Sequence, residues 1–134
     1  MTDAVPVYIA DTHSLVWYFH EPKRLPSAAA RAFAAIASDQ ACLIVPVIVL
    51  AELIWIAHKG RVNIDIDDVI RRLQASPQVE IRPLEFSRVL DLRRYTSVTE
   101  MHDRLIVAEA AARGARLIAS DEEIIAASLV TCVW

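Results

Sequence analysis

Hydrophobic residues in this chain occur in two kinds of segment that alternate along the sequence. Short runs of four to six mostly aliphatic residues, bounded by polar residues or proline, are typical of buried strands. Longer segments with apolar residues three or four positions apart predict helices. The predicted strands cover residues 5–10, 42–45, 79–82, 116–120 and 129–133. The predicted helices cover residues 12–19, 27–38, 46–59, 63–75, 83–94, 101–113 and 121–127.

Residues that commonly begin or end helices support these boundaries. Asp11 or Thr12 can cap the helix after the first strand, and Ser27 can cap the next helix. Gly60 and Gly114 directly follow two of the predicted helices, where a left-handed residue often ends a helix. Short strands that alternate with helices predict an α/β fold around a mostly parallel sheet.

The composition fits one globular domain that does not enter a membrane. The chain has 134 residues, of which 55% are hydrophobic and 23% are charged, and this balance excludes a disordered chain. We expect a single domain over residues 1–134. The apolar stretch 41–57 contains Pro46 and Glu52, so it falls short of a membrane-spanning helix. Because the N-terminal residues lack the basic start of a secretory signal, we expect a cytoplasmic protein.

The charge balance restricts the way in which this chain can contact a nucleic acid. The formal net charge is −3, whereas proteins that coat nucleic acids non-specifically are usually basic. Any such contact must therefore be local. Twelve arginines against two lysines favour fixed, bidentate phosphate contacts. The candidate phosphate-binding residues are Arg24, Arg61, Arg93, Arg94 and Arg104.

Four carboxylates stand beside or within apolar elements, and each of them alone can have an ordinary structural role, such as capping a helix. Asp11 and Asp121 directly follow predicted strands, and in a parallel sheet functional sites form beyond the carboxyl ends of the strands. Glu52 is the only charged residue between positions 41 and 57. A helix that is apolar nearly all round is mostly buried, so this carboxylate should be protonated, paired with an arginine or bound to a cation. Asp103 begins another helix, where it can also serve the helix dipole.

Taken together, these four carboxylates predict a metal site at one edge of the sheet. Clustered carboxylates repel one another unless a cation offsets their charge. Hard oxygen ligands without a set of cysteines or histidines favour Mg²⁺ or Mn²⁺ over Zn²⁺. Such ions promote hydrolysis of phosphodiesters. We therefore expect metal-dependent phosphodiester hydrolysis.

Several segments of the sequence resemble the PIN domain family, and specifically its VapC-type toxin ribonucleases. The resemblance rests on residues 9–17, 51–53, 59–61, 100–108 and 117–121, which occur in the family's order. It implies a three-layer α/β/α fold with a central, mostly parallel sheet of about five strands. It also implies an endoribonuclease that uses Mg²⁺ or Mn²⁺, one or two ions per site, and is held inactive by a VapB-like antitoxin. A homodimer is the expected assembly.

The resemblance also assigns roles to individual residues. The catalytic, metal-ligating positions of the family correspond to Asp11, Glu52, Asp103 and Asp121. Supporting positions correspond to Thr12 and Ser120, which carry hydroxyls, and to Arg104, which either contacts a phosphate or orients the acids. One departure is Thr99, because the family often has a proline at this position. The departure affects the shape of a loop rather than the acids.

Other interpretations of the same residues stay open. The chain could be a catalytically silent PIN-like module that binds RNA or protein, and the same acids could support cleavage of DNA. A phospho-accepting receiver domain is disfavoured because no lysine follows Lys59. The aromatic residues Trp17, Tyr18 and Phe19, followed by Leu25, form either part of the core or an exposed groove. Such a groove could take an amphipathic antitoxin helix or a second copy of this chain.

Overall fold

The computed structural model describes residues 5–134 and divides them into five strands, seven α-helices and two 3₁₀ turns. The strands are β1 (Val7–Ala10), β2 (Cys42–Pro46), β3 (Val79–Arg82), β4 (Arg116–Ile118) and β5 (Cys132–Val133). The helices are α1 (Thr12–His20), α2 (Ser27–Ala37), α3 (Val47–Lys59), α4 (Ile66–Ala75), α5 (Phe86–Leu90), α6 (Met101–Arg113) and α7 (Glu122–Ala127). The 3₁₀ turns are Pro22–Arg24 and Asp91–Arg93.

All five strands pair in parallel, in the order β3-β2-β1-β4-β5. The chain therefore moves outward from β1 to β3, crosses back to β4 and ends at the opposite edge. Right-handed crossovers then place α1 to α4 on one face of the sheet and α5 to α7 on the other. The predicted three-layer α/β/α fold with a five-stranded parallel sheet is confirmed.

The core is formed by the central strands and the inner side of α6. Ile9 of β1, Val45 of β2 and Leu117 of β4 are completely buried. Ile106 and Val107 of α6 are equally inaccessible to solvent. The sheet is covered on both faces, which explains why its strands are continuous apolar runs rather than alternating patterns.

Some predicted boundaries differ from those of the structure. The predicted helix 83–94 is divided into α5 and a 3₁₀ turn, and it begins only at Phe86. Ser27 is the first residue of α2 rather than its cap, because Pro26 occupies the cap position without a side-chain hydrogen bond. The helix predicted from residue 63 begins at Ile66, where the Asp65 side chain accepts a hydrogen bond from the Asp68 N–H.

The expectation that α3 is mostly buried is wrong for the chain by itself. Only Val49 and Leu53 of this helix are fully buried. By contrast, Val47 is 39% exposed, Ile54 44% and Trp55 59%. A helix on the outer layer of a sheet covers the sheet with one side only, and no described element packs on the other side of α3.

Within residues 5–134, no helix is both long enough and apolar enough to cross a bilayer. Cys42 and Cys132 are half-buried free thiols.

Candidate active site

The candidate site lies where β1 and β4 run side by side, at the point where the strand order changes direction. In open α/β sheets, this crevice beyond the carboxyl ends of the strands is the usual place for a ligand. Asp11 follows β1 and caps α1. Its N–H donates to the carbonyl of Ile118, the last residue of β4, over 3.1 Å. The position of Asp11 is therefore fixed from both central strands.

The Asp11 carboxylate is buried, with 3% of the residue exposed, and Ser14 holds it. Its Oδ1 accepts a hydrogen bond from the Ser14 N–H over 2.8 Å and lies 2.5 Å from the Ser14 hydroxyl. The same hydroxyl is 2.7 Å from the Ile118 carbonyl oxygen. Burial raises the pKa of Asp11, and the charge of Asp121 adds to this rise. The hydrogen bonds from Ser14 and the charge of His13 act in the opposite direction.

Glu52 reaches the site from the second turn of α3. Its Oε1 accepts a hydrogen bond from the Thr12 hydroxyl over 2.8 Å, and Thr12 is itself buried. This contact joins the start of α1 to α3. Within the described part of the chain, Glu52 forms no ion pair with an arginine, so the alternative that it serves a structural salt bridge is not observed.

Asp103 and Asp121 complete the group from the opposite face of the sheet. Asp121 caps α7, and its side chain accepts a hydrogen bond from the Ile124 N–H over 3.0 Å. Asp103 lies in the first turn of α6, and its pKa is raised to about 6. Burial is the largest cause, followed by the charges of four carboxylates, namely Glu100, Asp121, Asp11 and Glu52. The structure thus brings together the four acids selected from the sequence.

Glu100 is a fifth carboxylate that the sequence interpretation did not select. It caps α6, and its Oε2 accepts a hydrogen bond from the Asp103 N–H over 2.7 Å. Its Oε1 lies 2.7 Å from Nδ1 of His102. Burial acts to raise the pKa of Glu100, but these hydrogen bonds outweigh burial, and the pKa is lowered overall. The pKa of His102 is raised, chiefly by its hydrogen bond to Glu100. An acid three residues before a helical N–H is the signal that could have revealed this cap.

Arg104 points to the backbone of a neighbouring loop rather than to the acids. Its Nε donates to the carbonyl of Val98 over 2.7 Å, and one terminal nitrogen donates to the carbonyl of Leu92 over 2.8 Å. Arg104 therefore holds the segment between the second 3₁₀ turn and α6. Ser120 directly precedes Asp121, and its hydroxyl makes no hydrogen bond to the described residues.

The other candidate phosphate-binding arginines differ in their availability. Arg24 pairs with Glu21, and Arg94 pairs with Asp91. The Nε of Arg93 donates to the carbonyl of Leu90 at the end of α5. Within residues 5–134, the guanidinium of Arg61 makes no ion pair or hydrogen bond.

The acids agree with a divalent metal in their chemistry, although they do not form a ready-made cage. Within residues 5–134, no three Asp, Glu, His or Cys side chains stand at the spacing that would enclose an ion. The donor set nevertheless consists of carboxylates and a hydroxyl, which suit Mg²⁺ or Mn²⁺. The pKa of Asp103 is raised first by burial and then by the charges of neighbouring carboxylates, and a bound cation would offset that negative charge. The residues present therefore fit such an ion.

An open groove of about 550 Å³ adjoins the acids along α3. Glu52 and His102 line its polar end, and Trp55 with its apolar neighbours lines the rest. The candidate site thus borders directly on the exposed apolar side of α3.

Comparison with known proteins identifies a family. The family model described as the PIN domain matches residues 8–128. Among curated proteins, no sequence matches this chain.

Three solved structures share the fold at low sequence identity. One is the structure of VapBC2 from Rickettsia felis bound to a DNA fragment from the promoter. A chain of that structure has 17% identity to this chain and a TM-score of 0.66, and the match covers 94% of this chain and 96% of that chain. A toxin–antitoxin complex from Klebsiella pneumoniae has 17% identity and a TM-score of 0.63, with coverages of 92% and 95%. DNA-bound VapBC from Salmonella typhimurium has 16% identity and a TM-score of 0.64, with coverages of 95% and 96%.

Proposed function

Because this chain belongs to the PIN domain family, we propose that it is a metal-dependent endoribonuclease and the toxin of a VapBC-like toxin–antitoxin pair. The observation that carries the proposal is the meeting of acids at one edge of the sheet, since Asp11 follows β1, Asp121 follows β4, and Glu52 accepts a hydrogen bond from Thr12 beside Asp11. Asp103 is close enough to these three acids for their charges to add to the effect of burial in raising its pKa. The toxin–antitoxin complexes among the structural neighbours support the second half of the proposal. The protein would act on RNA in the cytoplasm.

The metal-holding residues in this proposal are Asp11, Glu52, Asp103 and Asp121, which would bind one or two Mg²⁺ or Mn²⁺ ions. When bound, the metal supplies positive charge that stabilises the phosphoryl group and promotes ionisation of the attacking water. Ser14 keeps Asp11 in place, and Thr12 does the same for Glu52. Fixed acids lose little entropy when they bind an ion, so these two hydroxyl residues support the affinity for metal.

The acidic surface also determines how RNA would bind. Phosphates are repelled from a cluster of carboxylates until cations neutralise it, so RNA binding itself should require the divalent metal. Single-stranded or loop RNA is the preferred substrate class, because its phosphates can approach such an edge. Arg61 is the candidate for a phosphate contact outside the cluster, since its guanidinium has no partner among the described residues.

The test of the proposal is RNA cleavage by Asp11→Asn, measured with Mn²⁺, with Mg²⁺ and with EDTA. We expect wild-type protein to cleave RNA only with metal and the variant to lose at least about 100-fold in rate. Asp39→Asn is the matched control, because Asp39 is exposed and its side chain makes no hydrogen bond to the described residues. Full activity of Asp11→Asn would contradict the role given to Asp11.

A catalytically silent module gives a different result in the same experiment. The wild-type protein would then bind RNA or a partner protein without cleaving RNA under any metal condition. Cleavage of DNA but not RNA would move the substrate to the other nucleic acid while keeping the metal chemistry.

The antitoxin-binding surface that we propose is the groove between α1, α2 and α4. Tyr18 and Phe19 line it together with Phe33 and Leu73, and Tyr18 stacks on Phe33 with ring centroids 4.4 Å apart. Arg72 lies 4.9 Å from the centre of the Phe19 ring. The groove can therefore take an apolar side chain of a partner, with a cation at its rim for an acidic residue. Trp17 contributes less, because it packs edge-on against Trp134.

A second copy of this chain is the partner that we propose for the exposed apolar residues of α3 and α5. We call this surface the α3–α5 face; its residues are Val47, Ile54, Trp55, Leu84 and Phe86. Val47 and Leu84 line the same small cleft, so the two parts of the face are continuous. Contiguous exposed apolar surface of this kind marks an interface, and a second copy of the chain can cover it by a symmetric contact.

A further inference from the structure

Thr99 makes a contact that a proline at this position could not make. Its N–H and its hydroxyl both bond to the carboxylate of Glu123 on α7. The hydroxyl oxygen lies 2.9 Å from each of the two carboxylate oxygens, and the N–H contacts Oε1. Proline has neither an N–H nor a hydroxyl, so this link depends on a residue in which the chain departs from the family's pattern.

The Thr99 end of this link is anchored in the body of the domain. Val98, the preceding residue, is completely buried, and its carbonyl accepts a hydrogen bond from Arg104. Glu100, the following residue, caps α6 through the Asp103 N–H. Thr99 is therefore held on both sides, and Glu100 connects it to Asp103.

The Glu123 end lies on a short helix with few buried residues. Helix α7 has six residues, of which only Ile124 is buried. It is preceded by the buried central strand β4 and followed by β5, an edge strand of only two residues. Glu123 is two positions after Asp121, which caps the same helix. A bond from Glu123 to Thr99 thus limits how far Asp121 can move relative to Asp103.

We propose that Thr99 and Glu123 form a latch that sets the spacing of Asp103 and Asp121, and so are positioning residues for the metal site. The inference rests on the proposed function, since it concerns the same acids. The latch acts on the metal through the two aspartates and does not touch the ion. Residues that orient metal ligands typically contribute about tenfold or more to metal affinity.

The first experiment measures Mn²⁺ affinity by isothermal titration calorimetry. Glu123→Ala should weaken Mn²⁺ binding about tenfold, and Thr99→Val should weaken it in the same direction. Thr99→Ser restores the hydroxyl and should restore the affinity. Glu122→Ala is the matched control, because Glu122 is exposed in the same turn of α7 and its side chain makes no hydrogen bond to the described residues.

A double-mutant cycle identifies the link itself. In the Glu123→Ala background, Thr99→Val should have no further effect on Mn²⁺ affinity, because the hydroxyl has lost its acceptor. Additive effects of the two substitutions would overturn the latch. Unchanged Mn²⁺ affinity in Glu123→Ala would also overturn the latch, even if the thermal stability of the variant fell. A merely structural contact changes stability and leaves Mn²⁺ binding by the folded protein intact.

The outcomes separate the latch from the proposed function. If wild-type protein binds Mn²⁺ and the latch variants weaken binding, but no RNA is cleaved, the latch stands and the ribonuclease proposal fails. If wild-type protein cleaves RNA and the latch variants bind Mn²⁺ as wild type does, only the latch fails. A wild-type chain that binds no Mn²⁺ would overturn both.

Discussion

The ionised carboxylate of Asp103 is disfavoured by its surroundings, which places a cost on folding in the absence of metal. Burial and four neighbouring carboxylates raise its pKa to about 6, from an ordinary value of 3.8. A group that serves only to cap a helix would have its pKa lowered instead, because the helix N-terminus favours a negative charge. The direction of the shift therefore favours a role in binding cations over a role in stabilising α6.

The stability of the metal-free protein should fall as the pH rises through the range set by Asp103. Its folded pKa is above its unfolded value, so the folded state holds the proton more tightly between pH 3.8 and about 6. The loss is less than about 3 kcal/mol, because solvent screens a group that is only half-buried. The unfolding free energy of Asp103→Asn, measured relative to that of wild type, should therefore be higher at neutral pH than at about pH 4.5.

Urea unfolding in EDTA measures this effect directly. The difference in unfolding free energy between Asp103→Asn and wild type should grow by about 1–2 kcal/mol from acidic to neutral pH. Addition of Mn²⁺ should stabilise wild-type protein and have a smaller effect on the variant. An identical difference at both pH values would contradict the repulsion proposed for this residue.

Helices α3 and α6 each carry a lone acid in an apolar run, yet the two acids have different environments. Glu52 on α3 accepts a hydrogen bond from Thr12 and faces the site. Glu109 on α6 is 5% exposed and lies among three arginines. Its carboxylate oxygens are 3.1 Å from Nε of Arg113, 3.2 Å from Nε of Arg88 and 3.8 Å from Nε of Arg82. These pairs join α6 to α5 and to the end of β3.

Glu109→Gln should destabilise the fold more than a comparable substitution at the surface. Removing one partner of a buried ion cluster typically costs about 3–5 kcal/mol, because the remaining charges lose their compensation. Part of this is recovered here, since Arg88 also pairs with Asp91. Urea unfolding should show a loss of about 3 kcal/mol for Glu109→Gln and less than about 0.5 kcal/mol for Glu122→Gln. Equal losses would show that the cluster adds nothing to stability.

The molecule presents two apolar surfaces, the groove between α1, α2 and α4 and the α3–α5 face. A chain with both surfaces open to water is prone to self-association, so each is expected to have a partner in the assembled state. We assign the groove to the antitoxin and the α3–α5 face to a second copy of the chain. The assignments can be tested separately, because the two surfaces share none of their defining residues.

Ile54→Lys should convert a dimer to a monomer, because it places a charge on the apolar α3–α5 face, where the proposed contact would bury it. Ile125→Lys on α7 is the matched control, since Ile54 and Ile125 are both 44% exposed. Sedimentation in the analytical ultracentrifuge should give twice the monomer mass for wild type and the control, and the monomer mass for Ile54→Lys. A monomeric wild-type chain, or a dimer that survives Ile54→Lys, would contradict the interface.

Local chemistry was sufficient to predict the order of strands and helices and the positions of the acids after the strands. Gly60 and Gly114 end α3 and α6 with left-handed backbone, as expected from the sequence. Asp11 caps α1, and Asp121 follows β4 closely enough to cap α7. These features depend on residues that are near one another in the chain, where hydrophobic periodicity and capping rules apply.

The identity of long-range partners was decided only by the tertiary structure. A lone carboxylate in an apolar helix gives the same pattern at Glu52 and Glu109, although one faces the site and the other is surrounded by arginines. The exposed side of α3, the loop contacts of Arg104 and the bond between Thr99 and Glu123 were likewise not predicted. Each depends on which element packs opposite the residue, and that choice is set by the sheet order and the packing of the whole chain.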